Sequence, residues 1–138
     1  MRSLAAIEAG LDSSSDGADS RESARRLLAG AEQVLEHWGV ARGETTTIEQ
    51  REGFRLLALH RQGARGEPSF NACRETCREI AYHYNLLCAE PDSAKAEQRR
   101  RMMTMLVKHL VLFVSGKLQA AGLGEFCCSS RPLRIESA

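Results

Sequence analysis

The chain has 138 residues and a formal charge of +1, from nineteen Lys and Arg against eighteen Asp and Glu, with 43% hydrophobic and only 5% aromatic residues. These proportions describe one ordinary globular domain with a polar tail and exclude collagen, wholesale disorder and a multidomain enzyme. A charge near zero leaves no broad field to draw in nucleic acid, so direct DNA binding is not expected.

Residues 1 to 11 begin like an export signal, but Glu8 interrupts the apolar stretch before it reaches a usable length, which predicts a cytoplasmic protein. After Leu11 comes Ser13-Ser14-Ser15-Asp16-Gly17, a run with no bulky side chain. Residues 1–19 therefore read as a flexible leader that is dispensable for folding, because such a composition buries too little apolar surface to offset the entropy of ordering. The acidic surplus of residues 1–44 and the basic surplus of residues 93–134 favour contact between the two ends of the chain.

A helical bundle is expected over residues 20–124. Asp19 or Ser20 caps its first helix, in which Ala24, Leu27, Leu28, Ala31, Leu35 and Trp38 form one stripe and Gly39 supplies the stop. A second helix is predicted to open at Thr46 with Glu49 as its capping-box partner and to run through Ile48, Phe54, Leu56, Leu57 and Leu59 to Gly63, with Gly53 an unfavourable interior residue. The third, capped by Ser69, carries Phe70, Cys73, Cys77, Ile80, Tyr84 and Leu87 at steps of 3, 4, 3, 4 and 3, a heptad-type seam that Pro91 ends.

The last helix is predicted from Asp92 or Ser93 to Gly122, about 44 Å at 1.5 Å per residue. Its apolar segment Met102 to Val114 contains Thr104, Lys108 and His109 and is too short and too polar to span a bilayer. One stripe, Met103, Leu106, Leu110, Phe113, Val114 and Ala121, suits the bundle. A second stripe, Met102, Met105, His109, Leu112 and Gly116, has no evident use inside it and asks for another partner, either the first helix or another chain. Methionines give that stripe a surface that can repack, and Gly116 permits close backbone approach. The fold expectation is thus all-α, a small bundle of about four helices with one long C-terminal helix, a flexible leader and a tail over 125–138.

Five cysteines without a secretory signal predict reduced thiols. Cys73 and Cys77 fit the seam as small hydrophobes, whereas Cys127-Cys128 in the tail is the better candidate for a reactive, sensing thiol. His37, His60, His83 and His109 fall on different helices, and no metal or cofactor is expected. Glu49, Glu52, Glu75 and Glu79 stand beside arginines and read as solvated faces, as does Arg99-Arg100-Arg101. No phosphate loop, nucleophile elbow or zinc-protease pattern appears, so no catalysis is expected.

The stretch Thr47-Ile48-Glu49-Gln50-Arg51-Glu52-Gly53-Phe54-Arg55-Leu56-Leu57-Ala58-Leu59-His60, with Cys73-Arg74-Glu75-Thr76-Cys77 and Met102-Met103-Thr104-Met105-Leu106, resembles the small helical quorum-sensing antiactivators of the QslA type over about residues 45 to 135. The resemblance implies a non-catalytic protein that binds a LuxR-type transcription factor and blocks its dimerisation and DNA binding. The residues read independently point the same way: a spare apolar seam presented to another helix, in a partner or in a homodimer.

Overall fold

The computed structural model describes residues 1–13 and 17–123, which are all-helical and end on one long helix. Asp19 accepts a hydrogen bond from the Glu22 N–H at 2.8 Å and so starts α2, Ser20–Ala41, where the capping residue predicts. Gly39 does not stop this helix. It lies where a Cβ would come within 2.9 Å of the Thr46 methyl, and the left-handed turn is made instead by Gly43 at φ 76.

The leader expectation fails at its first half. Residues Leu4–Gly10 form α1, capped by the Ser3 hydroxyl, and Ile7 and Leu11 are buried against α2 and α5. The helix is short, and its Ile7 and Leu11 side chains pack on α2 beside Gly30. Lys108 of the last helix pairs with Asp12 at 2.7 Å, one specific product of the opposite charges at the two ends. Residues 14–16 lie outside the described residues.

The second helix is also shorter than predicted. α3 spans Arg55–Ala64, and the preceding residues 44–54 are a loop. Arg51 and Phe54 exchange both backbone hydrogen bonds at 2.9 Å across Glu52 and Gly53, whose φ values are 53 and 84. Two successive positive φ angles close a tight two-residue turn that a helix cannot contain. The Thr46–Glu49 capping box is therefore absent. Thr47 Oγ1 instead accepts from Glu49 N–H, Arg55 Nε donates to the Thr47 carbonyl, and the Gln62 side chain bonds both Thr45 and Thr47 backbone groups.

A 3₁₀ turn, Pro68–Cys73, leads into α4, Arg74–Ala89. Ser69 does not cap α4; its hydroxyl donates to Glu67 and accepts from Lys117. The heptad seam is buried as predicted at Phe70, Cys73, Cys77, Ile80 and Leu87, with Tyr84 half-buried edge-on to Phe54. α5 begins at Ala96, later than predicted because residues 90–95 form turns tied by backbone bonds from Ser93 and Ala96. It runs to Ala120, and Gly122 follows at φ 72.

α2, α4 and α5 pack mutually around one core, α3 closes it against α2 and α4, and α1 lies at its edge against α2 and α5. Its centre is Phe70, stacked on Trp38 with centroids 5.1 Å apart and planes at 9°, and in contact with His60 and Phe113. Trp38 Nε1 donates to the Gly63 carbonyl at 3.0 Å. Gly63 is the point of closest approach in α3: a Cβ there would lie 2.8 Å from Phe70 and 2.9 Å from Trp38. The helix needs this glycine in its interior, not as a stop.

Candidate functional site

The inward stripe of α5 is complete without help from outside the chain. Met103, Leu110 and Val114 are buried as predicted, Leu106 and Phe113 are half-buried, and Val107, Val111 and Leu118 extend the buried surface. Ala121 is exposed beyond the helix end and takes no part in it.

The second stripe stays uncovered. Met102, Met105 and Leu112 retain 41%, 59% and 62% of their surface, His109 and Gly116 are exposed with them, and nothing lies within 4 Å of a Cβ built on Gly116. α2 packs on the opposite, inward side, so the alternative in which the first helix covers this stripe does not occur. Three large apolar side chains and a glycine thus run along four turns of a rigid helix, with Lys108 and Arg101 beside them.

Two of the thiols lie where the sequence reading puts them, in the seam. Cys73 and Cys77 are both buried, one turn apart, with His60 packed above them on Phe70. The Cys77 thiol hydrogen-bonds Cys73 and holds it below the ordinary thiol range, to about 6; burial opposes this shift and His60 reinforces it. The same contact, with burial, pushes Cys77 well upward, since a second negative charge would sit beside the first. No group of three His, Cys, Asp or Glu side chains among the described residues is placed to hold a metal ion. Cys127 and Cys128 lie outside the described residues, and Cys88 is half-buried at the end of α4.

Arg99, Arg100 and Arg101 all find carboxylates, the first at Glu90 and the other two at Glu97, which makes them a paired helix face. Glu49, Glu52, Glu75 and Glu79, read as solvated faces, are all exposed. Arg55 reaches across to Glu32 and Glu36 of α2, where burial raises Glu32 above the usual carboxylate range against the pull of Arg55. Arg78 takes Glu52 from the tight turn at 3.0 Å.

That exchange leaves a cleft the sequence reading missed. Between α3, α4 and the turn lies a cavity of about 420 Å³ lined by Arg51, Arg61, Arg65, Arg74 and Arg78, with Leu57, Ala64, Asn71 and buried His60 on its walls. Its one carboxylate is Glu52. The available signal was two arginine pairs four residues apart, at 61 and 65 and at 74 and 78, on consecutive helices.

No family model, curated protein or solved structure matches the chain. No helix among the described residues is long and apolar enough to cross a membrane.

Proposed function

We propose that the protein is a non-catalytic regulator that docks an apolar helix of another protein on the outer face of α5, through Met102, Met105, His109, Leu112 and Gly116. The observation that carries this reading is the exposure of a second, regularly spaced apolar stripe on a helix whose first stripe already completes the core. Burying the exposed halves of Met102, Met105 and Leu112 contributes roughly 1 kcal/mol each, enough in concert for a specific contact. In the absence of a partner a second copy of the chain takes the same face, giving a homodimer that competes with the heterocomplex.

The resemblance to the QslA-type antiactivators supplies the partner class, a LuxR-type transcription factor kept from dimerising and from DNA. The alternative reading, a thiol- or metal-based sensor, rests on Cys127 and Cys128, which lie outside the described residues; Cys73 and Cys77, its possible additional thiols, are buried within the seam. The test is a band-shift titration of a LuxR-type receptor on its operator. The wild-type protein is expected to release the receptor from DNA, and a variant carrying Met105→Glu and Leu112→Glu is expected not to. A receptor that stays on DNA at saturating wild-type protein would refute the antiactivator reading.

A further inference from the structure

We propose that the arginine cleft between α3 and α4 binds a small molecule bearing a diphosphate. Elsewhere in the fold most arginines meet carboxylates, as Arg25, Arg42, Arg55, Arg99, Arg100 and Arg101 do, while Arg2 donates to the Gln33 side chain and Arg21 to the Cys88 carbonyl. In the cleft, Arg51, Arg61, Arg65 and Arg74 form no ion pair among the described residues, and the only carboxylate on the wall, Glu52, has both oxygens engaged by Arg78. Five arginines against one carboxylate thus line one concave space, in a chain whose overall formal charge is only +1; Arg51, Arg61 and Arg65 also border a neighbouring groove with Glu49, and Arg78 another with Glu79.

Like charges gathered this way repel one another, and an anion of matching charge relieves the repulsion. A terminal phosphoryl group carries about −1.5 to −2 charges near neutral pH and the inner one of a diphosphate about −1, so a diphosphate offsets about three of the four unpaired guanidinium charges. Arginine presents paired donors that fit phosphate oxygens, and the planar fork holds them at fixed spacing. The volume, about 420 Å³, falls in the range of small-ligand sites and leaves room for more than the diphosphate. Half-buried Leu57 and Ala64 offer that remainder an apolar wall. The near-neutral chain and the concave shape favour a pocket-sized anion over a nucleic-acid strand, which needs an extended basic track. None of the residues of the outer α5 face takes part, so this site is independent of the docking reading.

Isothermal titration calorimetry of the whole protein with inorganic pyrophosphate and with ADP, against sulfate at equal ionic strength, tests the proposal. Saturable binding of one pyrophosphate and one ADP per chain is expected, weakened at least tenfold by Arg61→Gln with Arg74→Gln, and absent for sulfate. Both positions are exposed, and unchanged circular dichroism verifies the fold; Arg51→Gln with Arg65→Gln provides a second, separate variant. Pyrophosphate binding no tighter than sulfate, binding that survives both double variants, or binding only of a long oligonucleotide would each overturn it.

Discussion

Replacing Phe70 by alanine is expected to lower the free energy of unfolding by about 3 to 5 kcal/mol, the range for deleting a fully buried aromatic ring. Phe70 is completely buried and touches three other rings, Trp38, His60 and Phe113, each from a different helix. Its removal leaves a cavity that the neighbours cannot close, because Trp38 is fixed by the hydrogen bond to Gly63 and by Arg42 and Lys117 over its ring. Urea denaturation with the slope unchanged and the midpoint lowered is the expected record. A loss below about 1 kcal/mol would show that the ring does not sit at the junction of the helices.

Ile7→Ala is expected to cost about 2 to 4 kcal/mol by the same mechanism, whereas a flexible leader would make the change silent. Ile7 is fully buried and packs on α2 beside Gly30. Docking α1 also brings Asp12 to Lys108, an exposed pair that adds little. A thermal midpoint equal to wild type would restore the reading of residues 4–11 as dispensable.

Why this segment was illegible has a physical reason. Leu4, Ile7 and Leu11 do fall at helical steps of 3 and 4 behind the Ser3 cap, but a helix of 7 residues is not stable alone, and its order comes from packing on α2 and α5 that only the assembled bundle provides. The loop before α3 was hidden differently. Thr46 to Phe54 has the composition of a capped helix, but Glu52 and Gly53 take positive φ angles, and Arg55 and Gln62 bond the loop backbone that a helix would have satisfied itself. The local pattern admitted both outcomes and tertiary contacts chose one.

What periodicity did determine was the inside and outside of the long elements. The steps of 3 and 4 from Phe70 to Leu87 mark the buried face of α4, and those from Met103 to Val114 mark that of α5. The outer stripe at Met102, Met105, His109, Leu112 and Gly116 was equally legible as a second face. Which molecule covers it belongs to another chain's chemistry. The arginine cleft was harder to read: Arg51, Arg74 and Arg78 each stand beside a glutamate in sequence, Arg61 and Arg65 do not, and only the turn at Glu52 and Gly53 brings Glu52 to Arg78 and the arginines to one cleft.

The central claim, that the outer face of α5 is an interface and not a spare part of the core, is tested most directly by light scattering and circular dichroism on the variant carrying Met105→Glu and Leu112→Glu. Because both side chains are more than half exposed, the variant should keep wild-type helicity and a thermal midpoint within a few degrees. Because two charges would be trapped in any apolar contact across this face, the dimer proposed for the wild-type protein should give way to a monomer in the variant. A folded variant with the same mass in solution as the wild-type protein would contradict the account, and so would a variant that unfolds.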